Sequence, residues 1–398
     1  MSGTLSEPTG TPHDGGARPS PRARAWASTA PGHLSRDGIV RAHGADEPGL
    51  RPGPALGRVE REEREDALLQ PNATRAHGAG DRSRPEQPDA ERTCFERDRD
   101  RILHSTAFRR LAGKTQVFVF PEDHQRTRLT HALEVNQVAT SVARATRLNV
   151  ALTEAIAIGH DCGHGPGGHA SEEAFDAFLP GGYDHAVWGA DVVLVPLNLC
   201  RETLDGVRNH SWSRPTPATP EGVVVSWADR IAYCAHDLED AVHAGIVSTS
   251  DLPDEVADVC GRTRSEQLGT FIDALVECVQ ETGVIGMRED AATALAALRT
   301  FNYERIYTRP HALAQTAAVV RVLRALVEYY VERPGELPPD FRPGPTQDVQ
   351  VEGVAGDPVV RAAVAYVGGM TDRYAFRTAA DLLGWRTDVL PDAESPLA

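Results

Sequence analysis

Histidines and carboxylates crowd one short stretch of the chain. An apolar, helix-forming run leads into an adjacent pair, His160 and Asp161, and the Gly and Pro residues that follow predict a tight loop carrying His164, His169 and Glu172. Imidazole and carboxylate together suit Mg²⁺, Mn²⁺, Fe²⁺, Co²⁺ or Ni²⁺ better than thiolate-bound zinc. Neighbouring residues on a helix do not face the same way, so the end of a helix is the favoured position. A lone His-Asp pair is usually a solvated helix end, whereas three histidines within ten positions favour a metal site.

Two distant segments offer further ligands. His131 lies on a segment whose apolar residues recur at helical spacing, where a lone histidine is more often part of the core. Downstream, Asp229, Asp237 and Asp240 share one predicted helix, and an acidic helix face is usually solvated surface. Asp237 differs because three alanines flank it and permit close helix packing. His131 and Asp237 are therefore the candidates to complete the centre.

The composition is that of an acidic globular protein. The 398 residues carry 41 Lys and Arg against 57 Asp and Glu, a formal net charge of −16. This balance argues against a general nucleic-acid coat or an anionic-membrane binder, because both need broad positive fields. The chain has neither an apolar run of membrane-spanning length nor a signal-peptide pattern. Scattered cysteines without a Cys-x-x-Cys motif fit reduced thiols, so we expect a cytoplasmic protein.

Helical patterns dominate everything after a Gly- and Pro-rich beginning. Residues 1–57 contain too few large apolar side chains to offset their ordering entropy, and we expect this tail to be disordered. Residues 58–398 predict one all-α domain, in which residues 116–120 are the main stretch with a strand-like pattern. Helices are predicted at Leu152–Ile158, Gly182–Leu199, Gly222–Gly245, Ser265–Val284, Ala312–Tyr330 and Pro358–Leu383. The chain lacks the glycine motifs of phosphate-loop and dinucleotide-binding folds.

The order His131, His160-Asp161, Asp237 resembles the H…HD…D pattern of the HD-domain metal-dependent phosphohydrolases. Further blocks resemble the deoxyguanosinetriphosphate triphosphohydrolase (dGTPase) family within it. These blocks are residues 97–105, 108–111, 114–118, 126–134, 160–172, 235–241 and 369–375. The likeness covers roughly residues 58–385 and implies a multi-helix HD fold, with the HD core at about 95–245.

The resemblance implies hydrolysis of a deoxynucleoside triphosphate, with dGTP the leading candidate, to the deoxynucleoside and inorganic triphosphate. One divalent ion (Mg²⁺, Mn²⁺, Co²⁺ or Ni²⁺) is expected. Its implied ligands are His131, His160, Asp161 and Asp237. His169, with Glu172 to orient it, resembles the family's acid/base pair for the leaving 5′-oxygen, and His164 is a second candidate for contacting phosphate or sharing the proton.

Cations for the triphosphate are concentrated before the first ligand. Residues 95–128 hold eight basic and five acidic side chains. Arg128 lies three residues before His131 and so shares its helix face, which makes its guanidinium the best phosphate clamp. Lys114, the only lysine in the chain, and Arg110 are weaker candidates.

The sugar and the α-phosphate have candidate contacts of their own. Gln116 matches the family position that reads the sugar 3′-hydroxyl, although residues 116–120 could equally be an ordinary strand. His185 could touch the α-phosphate or cap a helix. Two residues depart from the family's usual pattern, namely Gly167, where phenylalanine is common, and Ala186, where asparagine often follows the histidine or glycine.

Two other functions fit the same residues. An HD phosphodiesterase or 5′-nucleotidase would use the same metal site, and a non-catalytic nucleotide- or DNA-binding regulator could keep the fold. The basic segment and Gln116 favour a triphosphate substrate, and the complete set of ligand positions argues against lost catalysis. The family's members suggest a homo-oligomer. Nucleic acid is possible as a partner but is not indicated, and a membrane is not expected.

Overall fold

The computed structural model describes residues 19–35, 38–43, 49–121, 124–342 and 356–386. The chain divides into two compact units, Met1–Ala55 and Leu56–Ala398. In the first unit, part of the segment expected to lack structure forms helix α1 (Pro21–Ser28) and the antiparallel pair β1 (His33–Leu34) and β2 (Val40–Arg41). Helix α1 begins there because Ser20 caps it and proline is favoured in the first helical turn. Residues 1–18, also assigned to that tail, lie outside the described residues.

The regular secondary structure of the described part of the second unit is helical, which confirms the all-α prediction. Its helices are α2 (Arg58–Leu68), α3 (Cys94–His104), α4 (Thr106–Arg110), α5 (Arg128–Ala145), α6 (Val150–Gly159), α7 (His169–Asp176), α8 (His185–Trp188), α9 (Arg201–Arg208), α10 (Pro220–His243), α11 (Asp254–Cys260), α12 (Arg264–Thr282), α13 (Glu289–Asn302), α14 (Pro310–Glu332), α15 (Pro358–Gly368) and α16 (Asp372–Leu383). Single π-helical turns follow α8 (Gly189–Val193) and α13 (Tyr303–Tyr307). Among the described helices, none combines the length and the apolar character that a membrane crossing requires.

The structure differs from the predicted elements in three places. Residues 116–120 form bends instead of a strand, and only an isolated bridge joins Thr115 to Thr127 nearby. The helix predicted at 358–383 is broken into α15 and α16, because Gly369 ends the first and Asp372 begins the second. The segment predicted as one helix at 182–199 holds only the short α8, a π turn and a 3₁₀ turn.

Three helices, α5, α6 and α10, pack around the main core. Valines of α5, Leu152 and Ile156 of α6 and Ile231 of α10 are all fully buried. Burying such aliphatic side chains stabilises the fold by roughly 1.5–3 kcal/mol each. Because the three helices converge, the polar residues at their touching ends and faces meet as well.

A second apolar core lies beneath the histidine-rich loop. Ala174 and Phe175 of α7 pack on α14, and α15 and α16 close the same cluster around Val319. The loop between α6 and α7 is thereby held between the two cores. Asp372, at the start of α16, accepts hydrogen bonds from the backbone N–H of Gly167 (2.8 Å) and of Thr115 (2.9 Å).

Candidate metal and phosphate site

Four side chains, from α5, from the residues that directly follow α6 and from α10, meet where these three helices cross. His131 Nε2 lies 3.1 Å from Asp229 Oδ1, and His160 Nε2 lies 3.4 Å from Asp161 Oδ1 and 3.7 Å from Asp229 Oδ1. His131 Nε2 and Asp161 Oδ2 are 4.0 Å apart. Neighbouring ligands of an octahedral ion with bonds of about 2.1 Å stand about 3 Å apart and opposite ones about 4 Å. These residues therefore fit a small divalent cation.

The hydrogen bonds around His160 aim it at this centre. Its Nδ1 lies 2.6 Å from the carbonyl oxygen of Ala157, and a carbonyl only accepts, so Nδ1 carries the proton. Nε2 is then a lone pair, and it is buried with no hydrogen-bond partner among the described residues. Such a backbone contact is the usual way in which a ligating histidine is fixed.

The two carboxylates of the cluster are held ionised. Burial alone raises the pKa of Asp161, but the Arg128 guanidinium and the neighbouring imidazoles outweigh it and hold the pKa well below its usual range. Burial is likewise outweighed at Asp229, whose pKa is lowered by the hydrogen bond with His131 and the charge of His160. Anionic oxygens are the form that a divalent ion requires.

The structure does not bring Asp237 into this cluster. It lies eight residues beyond Asp229 on α10, more than two turns along the helix. Its carboxylate is paired instead with the Arg126 guanidinium and accepts a hydrogen bond from the Tyr307 hydroxyl. Asp229, and not Asp237, lies beside the two histidines, which corrects the sequence prediction. The sequence does not distinguish the two residues because both lie among small side chains on one helix.

Arg128 lies beside the carboxylate cluster as a fully buried cation. Its Nη1 donates to Asp161 Oδ2 at 2.8 Å, while Nε and Nη2 have no hydrogen-bond partner among the described residues. A buried guanidinium with unused donors is a site for an anion, and phosphate oxygens match its planar geometry. The phosphate-clamp role of Arg128 stays a prediction.

A second group of side chains surrounds Glu172 at the start of α7. Glu172 Oε2 lies 3.0 Å from Nδ1 of His169, and Oε1 lies 2.6 Å from Nδ1 of His185. His185 in turn stacks on His164, with ring centroids 3.6 Å apart. The four ligand-type atoms lie within 4.8 Å of one another, so the loop and α8 bring together all the acid/base candidates.

Burial separates the roles that these histidines can play. The His169 side chain is 73% exposed, whereas His164 is fully buried. Burial and the nearby Arg128 charge lower the pKa of His164 well below its usual value, so it is neutral. Burial opposes protonation of His185 too, but the hydrogen bond and charge of Glu172 raise its pKa. At Glu172 the hydrogen bonds of His169 and His185 outweigh burial and lower the pKa.

The other predicted substrate contacts are placed less favourably. Lys114 is buried, and its ammonium donates to the carbonyl oxygens of His164 and Gly368, which makes it a tie between the loop and α15. The sequence prediction of a phosphate contact is not supported for it. Arg110 is exposed, and one of its nitrogens lies against Gly369. Gln116 is partly buried, and its Oε1 has no hydrogen-bond partner among the described residues.

The two departures from the family's pattern sit at tight places in the fold. Gly167 has φ +72°, and a Cβ there would lie 2.4 Å from Val319 Cγ1, so a larger side chain needs a different packing of α14. Ala186 is fully buried in the first turn of α8, where its N–H donates to the Asp184 carboxylate (2.9 Å). Neither residue touches the carboxylate cluster through these contacts.

Sequence reasoning missed one histidine of the site. His210 follows α9, and its ring centroid lies 4.9 Å from that of His160 and 5.1 Å from that of His185. It is buried, 2% exposed. Its only sequence signal is a histidine at the end of a strongly amphipathic helix, which by itself does not distinguish a site residue from a capping residue.

Comparisons with known proteins place the chain in a family. An HD domain model matches residues 128–234 and a phosphohydrolase-associated domain model matches residues 285–381. A deoxyguanosinetriphosphate triphosphohydrolase-like protein of Caldanaerobacter subterraneus is 40% identical over 321 residues, which cover 79% of this chain and 92% of the relative. One of Clostridium perfringens is 38% identical over 311 residues, covering 74% of this chain and 87% of the relative. The chain belongs to the dGTPase-like family of HD-domain phosphohydrolases.

Proposed function

We propose that this protein is a divalent-metal-dependent hydrolase that cleaves deoxynucleoside triphosphates, dGTP first among them, to the deoxynucleoside and inorganic triphosphate. The observation that carries the proposal is the buried cluster of two imidazoles and two carboxylates beside Arg128, whose free donors face no other partner among the described residues. Metal ligands and an anion-binding cation in one place suit an attack of water on a phosphate ester. Family membership supports the triphosphate as the substrate class.

The proposed metal ligands are His131, His160, Asp161 and Asp229. A divalent ion bound there supplies an acidified water and neutralises negative charge on the α-phosphate. Arg128 binds a phosphate oxygen through Nη2 and Nε, while its Nη1 keeps Asp161 in place. The α-phosphorus is thereby fixed against the cluster before reaction.

His169 is the proposed general acid. Its Nδ1 lies 3.0 Å from Glu172 Oε2, so the carboxylate fixes the orientation of the ring. The ring is exposed and free to meet a substrate, unlike buried His164. Water forms a bond to the α-phosphorus and releases a proton to solvent, the bond from phosphorus to the 5′-oxygen breaks, and His169 gives its proton to that oxygen and takes up another from solvent. His185 holds Glu172 from the opposite side.

The decisive experiment identifies the products and the bond that is cleaved. We expect the protein with Mn²⁺ to convert dGTP to deoxyguanosine and intact triphosphate, and in ¹⁸O-water the label should appear in the triphosphate, as measured by mass spectrometry. Release of orthophosphate or pyrophosphate would contradict the proposal and favour a phosphodiesterase or nucleotidase. A screen of the four dNTPs and GTP ranks the substrates.

The acid role of His169 has a matched control in the same chain. His77 is similarly exposed, at 69%, and its Nδ1 lies 3.2 Å from Asp66 Oδ2. We expect His169→Asn to lower kcat by at least about 100-fold, within the range for loss of a general acid, and to leave the Mn²⁺ content unchanged. His77→Asn should match the wild type. Equal activity of the two variants would remove His169 from the mechanism.

A cytoplasmic location and a homo-oligomeric state stay predictions.

A further inference from the structure

One buried carboxylate joins two segments that the proposed reaction uses. Asp372 is the first residue of α16 and is 2% exposed. Its Oδ2 accepts hydrogen bonds from the backbone N–H (2.9 Å) and the hydroxyl (2.5 Å) of Thr115. Its Oδ1 accepts one from the backbone N–H of Gly167 (2.8 Å). All three donors therefore belong to segments that are distant from α16 in the chain.

Each of these segments carries one residue of the proposed reaction. Thr115 directly precedes Gln116, the candidate for reading the sugar 3′-hydroxyl, and Gln116 Oε1 is buried with no hydrogen-bond partner among the described residues. Gly167 lies two residues before His169, the proposed general acid. A hydrogen bond to a backbone N–H fixes the place of its peptide plane. The carboxylate of Asp372 therefore sets the positions from which both side chains extend.

The two segments also touch each other directly, at a residue without a side chain. Gly168 has φ +61°, and a Cβ on it would lie 2.8 Å from the Thr115 carbonyl oxygen and 2.6 Å from Arg128 Nη2. The segment of Thr115, the histidine-rich loop and the guanidinium of Arg128 are thus in close contact. A shift of one of them moves the others, because closely packed groups transmit strain.

We propose that Asp372 is a positioning residue, whose carboxylate holds Gln116 and His169 at the separation at which both reach the sugar and the leaving 5′-oxygen of one substrate. This inference deepens the proposed function and rests on it, since it assigns a residue of α16 to the arrangement of the site. A misplacement of about 1 Å can cost about 100-fold in rate. A carboxylate that only bonds to the neighbours of the reacting side chains can therefore govern turnover.

The two carboxylate oxygens allow the two connections to be weakened separately. Asparagine has one acceptor oxygen, so in Asp372→Asn one side of the amide presents N–H groups instead. The oxygen keeps two hydrogen bonds when it faces Thr115 and one when it faces Gly167, so we expect the bond from Gly167 to be lost. Thr115→Val removes only the bond from the hydroxyl, and weakens the connection on the side of Gln116.

Loss of the bond from Gly167 should act through His169. We expect Asp372→Asn to lower kcat for dGTP at least about 10-fold and to change KM by less than about threefold. The double variant of Asp372→Asn and His169→Asn should be no slower than His169→Asn alone, because the group that Asp372 positions is already gone. The rate of triphosphate release with Mn²⁺ measures all of these variants.

Weakening of the bond to Thr115 should act through Gln116. The probe is 2′,3′-dideoxyguanosine triphosphate, which lacks the 3′-hydroxyl, and we expect the wild type to prefer dGTP. In Thr115→Val the ratio of kcat/KM for the two nucleotides should fall at least about threefold. Asp372→Asn should keep the ratio of the wild type.

Glu221 provides a matched control elsewhere in the fold. It is fully buried in the first turn of α10, and its carboxylate accepts hydrogen bonds from the backbone N–H (3.1 Å) and the hydroxyl (2.7 Å) of Thr74 and from the backbone N–H of Asn149 (2.9 Å). Glu221→Gln and Thr74→Val thus remove the same kinds of bond. They should lose stability to urea like their counterparts but keep the kcat, KM and dGTP preference of the wild type.

The outcomes separate this inference from the proposed function. A wild type that releases no triphosphate from dGTP overturns both. If the wild type does release it, the positioning role alone is overturned by wild-type kinetics of Asp372→Asn, or by a double variant slower than His169→Asn. An unchanged dGTP preference in Thr115→Val overturns the part of the role that concerns Gln116.

Two further results guard against a general effect of the substitutions. Equal losses of kcat in Glu221→Gln would show the consequence of losing any buried carboxylate, and would overturn the assignment. Circular dichroism checks that each variant folds. If Asp372→Asn does not fold, the comparison of Thr115→Val with Thr74→Val decides, and equal nucleotide preferences of these two variants would overturn the positioning role.

Discussion

Asp229 and Asp237 show how the position along a helix decides which carboxylate lies in the histidine cluster. Both lie on α10 among small side chains, and eight residues separate them, or about 12 Å along the helix axis. The histidines of α5 and α6 meet α10 near the first aspartate, while Arg126 and Tyr307 meet it near the second. The sequence could predict a carboxylate from this helix but not the level at which the helices cross.

The two aspartates predict opposite phenotypes. We expect Asp229→Asn to lower Mn²⁺ affinity and kcat by at least about 100-fold, because it removes a ligand. Asp237→Asn should keep the bound metal and lose about 1–3 kcal/mol of stability, since buried Arg126 keeps Asp240 and Glu134 as partners. Metal content and urea unfolding measure the two effects. The reverse pattern would restore Asp237 as the ligand.

Among the basic residues, sequence analysis could identify the cationic segment but could not rank its members by charge alone. Arg128 was distinguished by helical spacing from His131, and spacing survives folding because a helix is a local structure. Lys114 was not, because its burial depends on carbonyl oxygens 50 and 254 residues further along the chain. The sequence therefore predicts which residues share a helix face, but it does not predict contacts between residues that are far apart in the chain.

At the scale of elements, the predicted helices exist but several of their ends differ. Helix periodicity located α5, α6, α10, α12 and α14, because each buries an apolar face of several turns. The break between α15 and α16 was missed, although it gives Asp372 its contacts with Thr115 and Gly167. The start of α16 is fixed by contacts with distant segments, and such contacts leave little signal in the local sequence.

Gly163 is the point where the loop after α6 touches α8. A Cβ there would lie 2.0 Å from the His185 carbonyl oxygen and 2.5 Å from the Gly189 nitrogen, both of which are backbone atoms. The glycine thus lets His185 approach Asp161.

We expect Gly163→Ala to destabilise the protein by about 1–3 kcal/mol or more, because the backbone of α8 must move. Activity should fall as well, since His185 is displaced. Gly269→Ala is the control. Gly269 lies within α12 with nothing near its missing Cβ, and alanine there should be neutral or stabilise by up to about 1 kcal/mol. Urea unfolding compares the stabilities of the two variants. A stable, active Gly163→Ala would contradict the prediction, because it would show that the backbone of α8 can move without cost.

At the scale of the whole molecule, the net charge of −16 opposes the binding of the anionic substrate that we propose. In that proposal the positive charge that attracts the substrate is an enclosed one, because Arg128 is 2% exposed and water screens it little.

Burial of Lys114 gives the molecule a pH-dependent stability. Removal from water lowers the pKa of Lys114 from 10.5 to about 8. Between these two values the unfolded chain binds more protons than the native chain, so this contribution to the free energy of unfolding rises with pH. Below pH 8 the buried charge opposes folding to its full extent, and above pH 10.5 the penalty is gone.

We expect the difference in unfolding free energy between the wild type and Lys114→Met to change by about 3 kcal/mol in favour of the wild type between pH 8 and 10.5. Titrations common to both proteins cancel in this difference. Urea denaturation at a series of pH values measures it. A difference that stays constant across this range would mean that Lys114 titrates alike in both states.

The buried Lys114 can also report how often the contact between the histidine-rich loop and α15 opens. Because the chain has one ε-amino group and it is sealed between the carbonyl oxygens of His164 and Gly368, an amine-acylating reagent reaches it only when this contact separates. The acylation rate at Lys114, followed by mass spectrometry of one peptide, therefore counts local openings beneath the histidine-rich loop. A nucleotide that closes the site should lower the acylation rate at Lys114, even in a variant that no longer hydrolyses it.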